Sequence, residues 1–299
     1  MIEVKNLTKR YDDVTALKGI DLSVADGTVL GLIGTNGGGK STLLRLLAGV
    51  LRPDGGTLTI DGKRPFNAPE VKSQCFFVPD FPYFYDDSTL KSAAALYRSI
   101  YPGWSDEEYE RCLKAFPLDR KKRIINMSKG MQRQAALIIA LATRPRYLFL
   151  DEIFDGLDAV MRLKLKKLLA ERIADSGMTV IIASHTLREL DDLCDRVCLL
   201  HKGELLLERG LDELTGAYRR VQLGFAEAPE SDGFLAELPV VSCRRSGNIY
   251  NLTLRGGEED FMPIIQAISP AYISVTPLTL EDVFISEMEA AGYDAHDID

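Results

Sequence analysis

Apolar and polar residues alternate in Ile2-Glu3-Val4 and, in part, from Leu17 to Val24, the period-two pattern of half-buried strands. The Asp26-Gly27 pair that follows predicts a hairpin turn, and Thr28 to Ile33 reads as a buried strand. From Ser41 to Ala48 the period becomes helical, with Leu43, Leu44, Leu46 and Leu47 on one face. Asp54-Gly55-Gly56 predicts a further turn and Gly56 to Ile60 a further strand. Between about residues 88 and 143 helical periodicity dominates: Ser88 to Tyr101, Ser105 to Ala115 and Lys129 to Ala142, with loops at Pro102-Gly103 and Pro117. Strands and helices then alternate: strand Tyr147 to Leu150, helix Val160 to Ser176, strand Thr179 to Ala183, helix Leu187 to Cys194, then strands Arg196 to Leu200 and Glu204 to Leu207. Such alternation predicts a mainly parallel sheet with helical crossovers.

Past residue 216 the pattern changes. Strands are expected at Arg220 to Phe225, Val240 to Arg245, Ile249 to Leu254 and Ile273 to Val275, and helices at Phe261 to Ile268 and Thr279 to Ala290. Two domains follow: 1–215, an α/β unit with N-terminal strands and the helical insertion, and 216–299, a small α+β unit without a catalytic constellation.

Composition narrows the function. The 299 residues are 46% hydrophobic and 27% charged, ordinary for a globular chain, and the formal net charge of -8 disfavours a general nucleic-acid binder. The best candidate for a local basic patch, Arg120-Lys121-Lys122-Arg123, reads as a solvated loop or helix end. Five cysteines and the lack of a leader-like start point to a reducing cytoplasm with free thiols. Cys194, Cys198 and His201 lie close together, but zinc sites need a fuller ligand set, and the thiols read as core residues. The longest apolar run, Ala135 to Ala142, is far shorter than the roughly 20 residues that span a bilayer.

Candidate chemistry begins at Gly34-Thr35-Asn36-Gly37-Gly38-Gly39-Lys40-Ser41, which matches the phosphate-binding pattern G-x-x-x-x-G-K-[ST], with Thr42 next in line as a further ligand contact. Glycines let successive N–H groups turn inward onto phosphate oxygens, and the following helix adds the positive end of its dipole. Lys40 is placed to reach the terminal phosphates and the Ser41 hydroxyl to ligate Mg²⁺. In Tyr147-Leu148-Phe149-Leu150-Asp151-Glu152, two carboxylates leave the C-terminal end of a buried strand, where open α/β sheets bind ligands. Asp151 suits Mg²⁺, and Glu152 suits orientation or deprotonation of an attacking water.

With these two motifs the chain resembles the nucleotide-binding subunit of an ABC transporter over about residues 1–215. The resemblance implies a P-loop NTPase core, ATP as ligand, and a head-to-tail dimer with a second copy or a related ATPase subunit. It implies that Tyr11 stacks on adenine, and that Met127-Ser128-Lys129-Gly130-Met131-Gln132 is the signature that meets ATP held by the other subunit, through Ser128 and Gly130. Lys129 and Met131 stand where the family carries a glycine and a glutamine. Phe154-Asp155-Gly156-Leu157-Asp158 resembles the loop joining the two sites, with Asp158 in the key place, and His185 matches the switch histidine. Asp80 replaces a glutamine usual in the family. A carboxylate can take a metal position but cannot donate as an amide does, so Asp80 is either a Mg²⁺ or water contact or an acid in a surface turn. Aromatics from Phe76 to Tyr85, interleaved with Asp80, Asp86 and Asp87, suit a groove for a partner helix, with Phe76 and Val78 in the core.

The resemblance also implies ATP hydrolysis that powers a separate transmembrane permease, with the chain peripheral on the inner face of the membrane. Ser-Lys-Gly-Met at the signature, Phe-Asp-Gly-Leu-Asp after the base and Leu278-Thr279-Leu280-Glu281-Asp282-Val283-Phe284 are similar to the family's drug and antimicrobial-peptide exporter branch. The alternative is a member of the same superfamily acting on nucleic acid or ribosomes. Such proteins carry two motif sets, a long coiled-coil insertion or a basic surface.

Overall fold

The computed structural model describes residues 1–211, 213, 218–227, 229, 231–278, 281 and 282. They fall into two compact units, Met1–Glu208 and Arg209–Asp299.

In the first unit, β1 (Ile2–Tyr11) pairs antiparallel with β2 (Val14–Val24) on one side and β4 (Gly55–Ile60) on the other. The other sheet has six strands in the order β5 (Cys75–Val78), β6 (Tyr147–Asp151), β7 (Thr179–Ser184), β3 (Val29–Ile33), β8 (Arg196–His201), β9 (Glu204–Gly210). The five strands β5 to β8 are joined in parallel. β3, β6 and β7 are buried along their whole length, as strands covered on both faces must be, which explains their unbroken apolar runs.

Two expectations are corrected. Asp26-Gly27 is a turn, but not a hairpin: β2 and β3 belong to different sheets. The turn is anchored elsewhere. The Gly27 N–H donates to Thr179 Oγ1 (2.9 Å), and the Asp26 carboxylate accepts from the Tyr147 hydroxyl (2.9 Å) and pairs with Arg146 (2.7 Å). The helix expected from Leu187 to Cys194 is one 3₁₀ turn, Leu187–Glu189. Polar groups of this segment serve the preceding strand instead: Ser184 Oγ donates to Glu189 Oε2 (2.7 Å) and accepts from the Thr186 N–H (2.9 Å).

Helices cover the parallel sheet. In α1 (Lys40–Leu47), Leu43, Leu44, Leu46 and Leu47 are fully buried in one core with Leu30, Leu32, Phe149 and Ile181. Each such leucine contributes roughly 1.5–3 kcal/mol by leaving water. After the short α2 (Pro69–Lys72), the insertion supplies α3 (Leu90–Ile100), α4 (Asp106–Ala115) and α5 (Lys129–Ala142). Thr89, Ser105 and Ser128 cap their N-termini by accepting a backbone N–H. α6 (Ala159–Ser176) starts at its cap, Asp158, and stops at Gly177 in the left-handed conformation.

The second unit is an antiparallel sheet in the order β11 (Val240–Ser246), β12 (Ile249–Arg255), β10 (Tyr218–Gly224), β13 (Tyr272–Pro277), with α7 (Glu258–Ala267). Val221, Leu223, Tyr250, Leu252, Phe261 and Ile265 form its core. The helix expected from Thr279 to Ala290, and the Leu278 to Phe284 segment beyond Leu278, lie outside the described residues apart from Glu281 and Asp282.

Candidate functional site

Strand register assembles the site. Ile33 pairs with Ser184, Asp151 with Ala183, and Val78 with Leu150. The glycine loop after β3, the Asp151-Glu152 pair after β6, His185 after β7 and Asp80 after β5 therefore emerge at one edge of the sheet. Parallel strands share a direction, so their C-terminal ends coincide, and loops from distant parts of the sequence meet there.

The loop from Gly34 to Gly39 turns sharply into α1. Asn36 and Gly37 are exposed at its crest, Gly38 is buried beneath, and Ser41 and Thr42 are half-buried in the first turn. Gly39 caps the helix at φ 107°, and a Cβ there would meet the Ala16 carbonyl oxygen at 2.7 Å, so glycine is required both by conformation and by space. Lys40 is buried; its ammonium donates to the carbonyls of Gly34 (2.6 Å) and Thr35 (3.2 Å) and lies 3.7 Å from the Glu152 carboxylate. Burial pushes the Lys40 ammonium below the usual lysine range, and the Glu152 and Asp151 carboxylates work against that shift.

Glu152 stands at φ 47°, a left-handed conformation uncommon outside glycine. Its N–H donates to the Ala183 carbonyl (3.0 Å), and its Oε2 accepts from the His185 N–H (3.2 Å) and lies 2.9 Å from His185 Nδ1. The turn carrying His185 is fixed by the Ser184 to Glu189 bond described above. Burial acts to lower the His185 imidazole; the hydrogen bond and charge of Glu152, with Asp155 and Glu189, outweigh it and hold it above its ordinary value. One carboxylate is thus gripped by the lysine that opens α1 and an imidazole from the turn after β7.

Asp151 is 1% exposed, and its Oδ1 has no hydrogen-bond partner among the described residues. Burial pushes its carboxyl up; a hydrogen bond from Ser41 lowers it, and the charges of Glu152 and Asp80 raise it further. An unpartnered carboxylate oxygen beside a serine hydroxyl is a hard-oxygen pair that fits Mg²⁺. Asp80 differs: its carboxylate is engaged by Arg133 of α5. Of the three residues predicted to hold Mg²⁺, Ser41 and Asp151 fit a cation better than Asp80, whose carboxylate is already paired.

Ser128 and Gly130 open α5, and Asp158 opens α6. Ser128 Oγ accepts from the Met131 N–H (3.3 Å) and Asp158 Oδ1 from the Met161 N–H (2.9 Å). Gly130 lies against the loop before α6: a Cβ there would meet the Gly156 carbonyl oxygen at 2.8 Å. Tyr11, at the end of β1, is 40% exposed with Lys9 Nζ 5.6 Å from its ring centroid. Among the described residues, no hydrogen bond joins Tyr11, Ser128 or Asp158 to the Lys40–Glu152–His185 group. Phe76 and Val78 are buried, whereas Phe81, Tyr83 and Tyr85 are exposed. Cys194 and Cys198 are buried free thiols, both pushed up by burial, as core residues are.

Sequence reading missed Arg133. It is 6% exposed, yet a guanidinium on a helix as apolar as Ala135 to Ala142 is a signal, since a buried arginine demands partners.

A phosphate-cradling loop after a central parallel strand, its buried lysine, and an acid pair two strands along the sheet define a P-loop nucleotide-binding protein. The family described as ABC transporter matches residues 17–155. The ABC transporter ATP-binding protein YtrB of Bacillus subtilis (strain 168) is 30% identical over 289 residues, 96% of this chain and 98% of that protein. The bacitracin transport ATP-binding protein BcrA of Enterococcus faecalis is 29% identical over 239 residues, 79% of this chain and 76% of that one. A solved dimeric bacterial ABC transporter cassette superposes with a TM-score of 0.64 at 26% identity, covering 71% of this chain and 99% of that one. The chain belongs to the family of ABC transporter ATP-binding proteins.

Proposed function

We propose that this chain is the ATP-hydrolysing subunit that powers a separate transmembrane permease exporting a drug, lipid or antimicrobial peptide. The observation that carries the hydrolytic reading is the Glu152 carboxylate, gripped by Lys40 and His185 beside the unpartnered Asp151 oxygen. In this reading Lys40 and the N-terminus of α1 bind the phosphates, Tyr11 stacks on the base, and Asn36 to Thr42 wrap the triphosphate. Glu152 accepts a proton as water attacks the terminal phosphorus and the bond to the ADP oxygen breaks; His185 holds that carboxylate in place. Bound Mg²⁺, held by Ser41 and Asp151, would screen charge on the phosphate oxygens.

A single motif set requires a partner cassette, so Ser128, Gly130 and Asp158 would act on nucleotide held by a second copy or a related subunit. The solved dimeric cassette supports that arrangement. The relatives named as ATP-binding proteins of transporters support a separate permease and a peripheral position on the inner face; among the described residues no helix is long and apolar enough to cross a membrane. A cavity of about 590 Å³ lined by Tyr83, Tyr85, Leu96, Tyr97, Ile100 and Tyr101 suits a helix of that permease. Export is favoured by the relatives named for bacitracin transport and Nod factor export.

Glu152→Gln keeps the size and loses the basic oxygen. It should bind ATP, turn over poorly and accumulate as a dimer in size-exclusion chromatography. Wild-type turnover in that variant would remove Glu152 from its assigned role.

A further inference from the structure

Four side-chain contacts converge on the first two turns of α5. Arg133 is buried and spends its donors on two loops: Nε on the Asp80 carbonyl (3.1 Å), one terminal nitrogen on the Asp80 carboxylate, and the other on the Asp155 carbonyl. One helical turn earlier on the same face, Lys129 Nζ sits 5.6 Å from the centroid of the Phe81 ring, a cation–π distance. Between them, Gly130 lies against the Gly156 carbonyl, and a Cβ on Gly156 would sit 3.3 Å from the Arg133 guanidinium.

We infer that Arg133 and Lys129 form a latch, in which Arg133 is the positioning residue that ties the 80–81 loop and the 155–156 loop to the start of α5. The chemistry suits a latch. A guanidinium is a rigid, planar fork, so one side chain can fix two loops in orientation as well as distance. Buried, it needs the Asp80 carboxylate, and the carboxylate, mostly shielded, needs it in return. Asp80 follows the strand beside Asp151, while Asp155 follows Glu152 by three residues. Movement of the exposed Phe81 is thereby passed to the loop carrying Gly156 and to the Ser128 end of α5 as one body. A permease helix seated at Phe81 would use this path. That use rests on the function proposed above; the latch itself does not.

Two readouts test it on the full chain with Arg133→Gln, Arg133→Lys, Asp80→Asn and the double variant Asp80→Asn/Arg133→Gln. By hydrogen exchange, Arg133→Gln should raise exchange about fivefold or more in peptides covering 80–87 and 153–158, leave those of β3 and β7 unchanged, and be partly rescued by lysine. In steady-state hydrolysis each single variant should lose about tenfold in kcat with KM for ATP within about twofold, and the double should be no slower than the slower single. The Mg²⁺ concentration for half-maximal rate should stay the same in Asp80→Asn. Unchanged exchange in Arg133→Gln, multiplied losses in the double variant, or a raised Mg²⁺ requirement in Asp80→Asn would each overturn the latch. A wild-type chain that hydrolyses no ATP would sink the proposed function instead, and the exchange data would then decide the latch alone.

Discussion

Gly130→Ala sets two physical effects against each other. Gly130 is the second residue of α5. On helix propensity alone, alanine should gain up to about 1 kcal/mol. The structure opposes this, because the new Cβ would lie 2.8 Å from the Gly156 carbonyl oxygen, a distance such pairs do not tolerate. Both sides of the clash are main chain, so no rotamer change relieves it. The loop must retreat by a few tenths of an ångström, or α5 must. Forced overpacking of this kind costs about 1–3 kcal/mol, so the net effect is a loss of about 1 kcal/mol rather than a gain. In a unit of this size that lowers the melting temperature by roughly 2–4 °C. Turnover should suffer more. If a misplacement of about 1 Å costs on the order of 100-fold, a few tenths of an ångström between α5 and the 155–156 loop costs about three- to tenfold. Thermal melts and steady-state ATPase rates on the purified protein measure both. A variant that melts higher than wild type and hydrolyses at full rate would refute the close packing and the importance given to it.

Two further outcomes follow from protonation. Burial pushes the thiols of Cys75 and Cys112 up to about 12, and those of Cys194 and Cys198 higher still, so a thiol reagent at neutral pH should modify the exposed Cys243 first, as read by peptide mass spectrometry; early loss of any of the four buried thiols would contradict the core described here. His185 is held above its ordinary value, so its contribution to stability is complete below the ordinary histidine pKa and fades as pH rises through the raised one. Urea midpoints between about pH 5 and 8 should show that decline in wild type and a flatter profile in His185→Gln, whereas identical profiles would count against the Glu152–His185 bond.

What could be read from the chain divides along one line: contacts made within a few residues were legible, and choices of distant partner were not. The glycine loop is local, so Gly34 to Ser41 declares its own turn and helix. Asp26-Gly27 shows the other case. Turn chemistry reports that the chain bends, but not which strand it bends toward, and the deciding partners, Thr179 and Tyr147, lie more than 100 positions away. The stretch from Leu187 departs from that line: its helix gives way to one 3₁₀ turn although the bond between Glu189 and Ser184 spans only five positions, because apolar periodicity has no record of a side-chain bond. Asp80 is the sharpest instance. Taken alone, its carboxylate suited a Mg²⁺ or water contact, with a surface-turn acid as the alternative. Its charge is answered 53 positions later by Arg133, which also reaches Asp155. A helical period assigns Arg133 to a face of α5, and nothing in that period names the two loops it holds. Periodicity encodes which side of an element is buried, whereas a buried charge encodes only that a partner must exist. Arg133 was therefore detectable as a demand, and the fold was needed to show what met it.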